Sequence, residues 1–228
     1  MSLKPPKKSD LGKSWMKARR DQPKRIRPEY HLIITEGTKT EPAYFSAMRD
    51  VINHIYPNRI QLDVVGAGNN TLHLFQKAQH RVRASANGYR HVWIVYDTDE
   101  FPAEHINETA RLCEAVSTEE TAYHAIWSNQ CIEVWFLLHF QYLQADIHRS
   151  VVAAKLTDAM NAQRLGAYAK NRRDMYEVLH PFMDTALMYA RRLDKENSNR
   201  LPSDASPGTK VHVLIEKLKP YLGEPGSK

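Results

Sequence analysis

The feature that most limits what this chain can fold into is a regular alternation over residues 30–129. Short runs rich in β-branched and aromatic residues ("YHLIITE", "RIQLDVVG", "YRHVWIVYDTDE", "YHAIWSN") alternate with stretches of helical periodicity at about 41–55, 70–86 and 104–116. In the first helical stretch, Tyr44, Phe45, Met48, Val51, Ile52 and Ile55 recur at helical spacing. Strands that are apolar almost continuously are buried on both faces. The pattern therefore predicts an α/β fold, a mainly parallel sheet with helices on both faces joined by right-handed crossovers. In such folds reactive groups gather where the strands end.

Beyond residue 130 the pattern turns helical, with helices expected over 131–144, 150–163, 171–194 and 207–222. The polar segment "DKENSNRLPSDASPG" separates the last two. We read residues 130–228 as a helical elaboration packed on the 30–129 core. Residues 1–29 precede the core as a basic flexible arm. Residues 1–30 hold ten Lys and Arg against Asp10, Asp21 and Glu29, a balance of +7, whereas the whole chain is +6, so the remainder stands at −1. Such an arm attracts polyanions irrespective of sequence, which makes nucleic acid the expected partner. No apolar run approaches the ~20 residues that cross a bilayer, and the first residues carry no apolar signal core, so a cytoplasmic protein is expected. Cys113 and Cys131 lack the spacing of a metal site and read as packing positions.

Glu36 ends the first strand, and Asp97 and Asp99 end the third. Parallel topology places all three on one edge, and Gly37 lets a ligand approach the backbone. In an extended "DTD", Asp97 and Asp99 share a side. Carboxylates that converge repel unless a cation or proton separates them. Oxygen donors from separate elements suit a hard ion, Mg²⁺ or Mn²⁺, which would polarise a phosphoryl group and acidify a bound water. Glu41, beside Pro42, is explained by a helix start.

Around this trio, Glu133 opens a helix in "SNQCIEVWFLLHF" and is a candidate fourth ligand or water-positioning base. Lys39 and Lys170 are candidates to bind a scissile phosphate. Lys77, Arg81 and Arg83 on one helix, and Lys170, Arg172 and Arg173 in "KNRRDMY", are candidate contacts to a nucleic-acid backbone. "GAGNNTLHLF" lacks the lysine of a phosphate-binding loop and reads as a turn with a helix start. His139 reads as a hydrogen-bonded core histidine.

The Glu-Gly after "LIIT" and the Asp-x-Asp after "WIVY" resemble the Toprim motif pair of topoisomerases, bacterial primases and overcoming-lysogenization-defect nucleases. More closely, "EGTKTEPAYF", "VYDTDEF", "SNQCIEVWFLLHF", "YAKN" and "SPGTKVHVLIEKL", in this order, resemble the RloB family of phage-defence-associated proteins. The resemblance implies a Toprim-like fold and metal-dependent nuclease activity on RNA, transfer RNA included, or on DNA. It also implies a role in anti-phage defence or abortive infection, with an ATPase encoded in the same locus as a partner. The alternative is a non-catalytic nucleic-acid-binding subunit or scaffold for that ATPase. Gln130 departs from the family pattern, which has proline after Asn129. Oligomeric state is open at this level.

Overall fold

The computed structural model describes residues 27–68, 71–99 and 101–223. A single sheet contains β1 (Glu29–Thr35), β2 (Ile60–Gly66), β3 (Tyr89–Asp97), β4 (Ala122–Asn129) and β5 (Gly208–Thr209), in the order β2-β1-β3-β4-β5. The first four strands are parallel, and the short β5 runs antiparallel to β4. The crossovers carry α1 (Thr40–Ile55), α2 (Thr71–Ala84) and α3 (Ala103–Val116). This is the mainly parallel α/β architecture that the alternation predicts.

Strand periodicity of two sends neighbouring residues to opposite layers. Ile33, Trp93, Val95 and Ile126 pack with Tyr44, Phe45, Met48 and Ile52 of α1. Leu32, Ile34, Val92, Ile94 and Tyr96 pack with Leu74, Phe75 and Ala78 of α2 and with Ile106 and Cys113 of α3. Both cysteines are free and buried.

The chain then adds α4 (Glu133–Leu137), α5 (Arg149–Ala162), α6 (Met175–Leu179), α7 (Met183–Glu196) and α8 (Val211–Leu218). Their buried faces extend the α1 layer. Three expected helices are shorter than their sequence patterns. The one expected over 131–144 stops at Leu137: every residue from Cys131 to His139 is buried, so the run has no polar stripe to define a helix length. The one expected over 171–194 divides at Pro181, which lacks an amide and disfavours helix in the residue before it, leaving a 3-10 turn at His180–Phe182. The one expected over 207–222 starts late because Gly208 and Thr209 pair with β4.

The basic arm falls mostly in residues 1–26, outside the described residues, and β1 begins at Glu29, inside the expected arm. Among the described residues no helix is long and apolar enough to cross a membrane.

Candidate functional site

Register brings the ends of β1 and β3 side by side, with Thr35 opposite Val95. The next residue, Glu36, donates its amide to the Val95 carbonyl at 2.9 Å and accepts the Asp97 amide at 3.1 Å on Oε2. Glu36 and Asp97 are thus joined at the carboxyl edge, as the parallel topology requires. The loop after β2 closes the same edge, its Ala67 and Gly68 amides donating to the carbonyls of Thr35 and Glu36.

Asp97 sits among carboxylates. Its pKa stands well above the ordinary 3.8, first because burial penalises the charge, then because Glu41, Glu36, Glu133 and Asp99 add negative potential. Glu41 is more than a helix-start residue. It is 7% exposed and its carboxylate folds back over Gly37, accepting the Gly37 amide and its own. A Cβ on Gly37 would lie 2.2 Å from Glu41 Oε2, so only glycine leaves space for that carboxylate. Burial raises the Glu41 pKa, Glu133 raises it further, and the Lys170 charge works in the opposite sense.

Glu133 is buried at the start of α4 and accepts a 2.6 Å hydrogen bond from the Tyr168 hydroxyl. Burial and the Glu133 charge push both the Tyr168 phenol and the Cys131 thiol upward, so both stay protonated. Tyr168 lies in the same "YAKN" segment as Lys170, and Thr40 Oγ1 fastens that segment to the site by donating to the Lys170 carbonyl at 2.5 Å. Glu41 and Tyr168 therefore belong to the cluster. The sequence signal for both is their nearness to candidate lysines, two positions from Lys39 and from Lys170.

Asp99 takes a different course from the extended "DTD" expected of it. β3 ends at Asp97, and the buried Thr98 donates its amide to the carbonyls of Ser128 and Gln130. The chain bends, and the Asp99 carboxylate pairs with Arg149 Nη1 at 2.5 Å. The Asn129–Gln130 peptide beside it is cis, and the Gln130 side-chain oxygen accepts the Arg149 amide at 2.9 Å.

The basic candidates separate. Lys39 and Lys170 are exposed beside the cluster. Lys77 reaches the same edge, donating to the Ala67 carbonyl at 2.9 Å. Arg81 and Arg83 lie toward the opposite end, near Tyr89 and Tyr123 at the starts of β3 and β4, because a crossover helix runs back along the sheet. Arg172 is engaged bidentately by Asp174 and donates to the Leu165 and Ala167 carbonyls, clasping its own loop. Arg173 is exposed on the groove between α1 and α6. His139 is the expected core histidine, 1% exposed with Nδ1 on the Trp135 carbonyl.

A second cluster, absent from the sequence reading, occupies the amino edge. Glu29, His31 and His91 hold ligand atoms within 4.8 Å of one another, the one such group of three among the described residues. The carboxyl-edge oxygens do not close to that spacing. Uncompensated like charges hold apart, and Asp99 is drawn to Arg149. The amino-edge group nevertheless fits a metal poorly. Trp93 Nε1 donates to His31 Nδ1, which leaves the proton on Nε2, and that nitrogen donates to Glu29. Lys217 stands 3.6 Å from the same Glu29 oxygen and adds positive charge. The carboxyl edge offers what a hard cation needs: oxygen donors from β1 and β3, with excess negative charge that a divalent ion would offset.

A family model described as RloB-like protein matches residues 31–218. No curated protein and no solved structure matches the chain.

Proposed function

For a chain that belongs to the RloB-like family, we propose metal-dependent hydrolysis of phosphodiester bonds in nucleic acid, RNA (transfer RNA included) or DNA, as part of anti-phage defence. The observation that carries this reading is the junction of two strand ends, where Glu36 accepts the Asp97 amide and the charges of Glu41 and Glu133 add to those of the pair. Charge of that density at a sheet edge favours a divalent cation and marks a reactive position. Glu36 and Asp97 would hold Mg²⁺ or Mn²⁺, with Asp99 joining them on leaving Arg149. A bound ion supplies a water of lowered pKa and a Lewis acid for the phosphoryl oxygen.

The chain's own groups do the rest. Glu133, its carboxylate oriented by the Tyr168 hydroxyl, would position a water and receive its proton. Lys170, whose charge reaches Glu41, offers a cation to the phosphate. Glu41 holds the Gly37 amide and so fixes the turn that carries Glu36. An ATPase partner from the same locus and a cytoplasmic setting complete the proposal.

The test is a panel of labelled transfer RNA, single-stranded RNA and plasmid, incubated with the full chain in Mg²⁺, Mn²⁺ or chelator. Cleavage that requires the cation supports the nuclease. Cation-dependent binding without cleavage of any substrate favours a non-catalytic nucleic-acid-binding subunit.

A further inference from the structure

Parallel strands gather their starts on one edge as they gather their ends on the other, and here the starting edge is basic. Arg27 lies before β1, Arg59 directly precedes β2, and Arg90 is the second residue of β3. All three are exposed and line one cavity of about 470 Å³ together with Tyr30 and Tyr89. Among the described residues, none of these three guanidiniums has an ion-pair partner. Two carboxylates share the cavity: Glu29 is engaged by His31 and Lys217, and Glu120 is exposed. The backbone also works to keep Arg90 outside. Tyr30 pairs with Tyr89 and His31 with His91, so Arg90 is an extra residue in β3. A bulge of this kind re-aims a side chain, and it leaves Arg90 exposed in a strand that is buried from Val92 to Tyr96.

The charge extends between the two edges. Residues 71–90 contain Lys77, Arg81, Arg83 and Arg90 and no Asp or Glu, a balance of +4 inside a region, residues 31–228, that stands at −1 overall. Lys77 and Arg81 are four apart and so share a face of α2. That helix leads from the carboxyl edge, where Lys77 meets Ala67, to the amino edge, where Arg81 lies near Tyr89. Exposed positive charge without an internal partner suits a polyanion backbone, and the planar guanidinium fork matches phosphate. We propose that Arg27, Arg59 and Arg90 form a second phosphate-binding site, which holds a nucleic-acid substrate at a distance from the bond cut beside Asp97. The proposal rests on the nucleic-acid reading above and adds the size of the substrate to it. Arg90 is seven residues from Asp97 along β3, about 23 Å at roughly 3.3 Å per residue. Phosphates along one strand of a duplex rise about 3.4 Å each, so about seven base pairs separate the two sites. A stem of ~10 base pairs or more engages both sites at once, and a shorter one engages only one at a time.

The test reads binding, not cleavage. Fluorescein-labelled RNA and DNA hairpins with stems of about 5 or about 16 base pairs, below and above the spacing of the two sites, are titrated with the full chain in Ca²⁺, which holds back hydrolysis. The proteins are wild type, the double variant Arg59→Gln with Arg90→Gln, and a control of equal charge, Arg191→Gln with Arg192→Gln on α7. The amino-edge pair should weaken long-stem binding roughly 10- to 30-fold and flatten its slope of log affinity against log salt by about 1.8, two phosphate contacts at ~0.9 each. Short-stem binding should change less than about threefold, as should both stems with the α7 pair. A loss shared equally by both stems, no loss on the long stem, or an equal loss from the α7 pair would overturn the proposal. So would arginine-dependent capture by phosphatidylserine vesicles with long-stem binding unchanged, which would make the edge a membrane contact. If the double variant fails to fold, Arg59→Gln alone, on the exposed segment before β2, carries the same comparison with a slope change of ~0.9. Cleavage by a wild type whose long-stem binding ignores these arginines would keep the nuclease and remove this site; the length-dependent loss in a protein that cleaves nothing would remove the nuclease and keep the site.

Discussion

Asp97→Asn should make the protein more stable without a divalent cation and less stable with one. Asp97 is a half-buried carboxyl whose ionisation is opposed by desolvation and by the charges of Glu41, Glu36, Glu133 and Asp99. At an effective dielectric constant near 20, two carboxylates roughly 6 Å apart repel by about 3 kcal/mol. Replacing one by an isosteric amide should relieve about 1–3 kcal/mol after allowance for the lost acceptor strength. The sign follows from linkage. A carboxyl whose folded pKa is raised binds more protons folded than unfolded, so its ionisation destabilises progressively as pH rises from 3.8 through the raised value. The gain is therefore greatest at alkaline pH. For a chain of this length each kcal/mol moves the midpoint by about 2–4 °C, so the variant in chelator at pH 8 should melt roughly 2–12 °C above the wild type. Added Mn²⁺ at 100 times its dissociation constant should stabilise the wild type by about 2.7 kcal/mol. The variant, short of a first ligand, should gain little, and the order of the two melting curves should reverse. Thermal melts in chelator and in Mn²⁺ decide it. A variant less stable than wild type in chelator, or one gaining equally from Mn²⁺, would refute the assignment of Asp97 as a cation ligand in a repulsive cluster.

Two further outcomes are expected. Gly37→Ala must displace the Glu41 carboxylate from 2.2 Å contact and break its bond to the residue 37 amide, which should cost roughly 1–3 kcal/mol and weaken Mn²⁺ binding; urea unfolding and a Mn²⁺ titration read both, and a variant of wild-type stability with wild-type Mn²⁺ affinity would contradict the packing described. At the amino edge, burial and the charges of His31 and Lys217 push His91 and His124 down to about 4. Their contribution to stability is therefore complete above pH 6.5, the unfolded value, and lost as pH falls toward 4, at about 1.4 kcal/mol per pH unit for each proton taken up on unfolding. In urea midpoints measured between pH 7 and 4.5, His124→Gln should flatten that dependence; an unchanged slope would mean that the His124 environment does not set it.

The sequence by itself determined the sheet and the edge at which its strand ends gather. Almost continuously apolar runs separated by helical stretches admit few arrangements other than a parallel sheet covered on both sides, and parallel strands carry their C-terminal residues to one edge whatever the side chains do. Glu36 and Asp97 were legible for that reason, and the structure joins them through the Asp97 amide. Lengths of the later helices were not legible, because a run buried all round, as at 131–139, carries no stripe that says where it stops. What tertiary structure alone decided is which charges meet. Asp99 turns to Arg149, fifty residues away in sequence, because Thr98 is tied to Ser128 and Gln130 and the chain bends there. Glu41 folds onto Gly37 instead of facing solvent. Tyr168 reaches Glu133 because Thr40 pins its segment to the site. Glu29, His31 and His91 meet across two strands through a register that no local pattern encodes. Periodicity reports what a residue's own element buries; the pairing of charges depends on distances between elements, which exist only once the chain has packed.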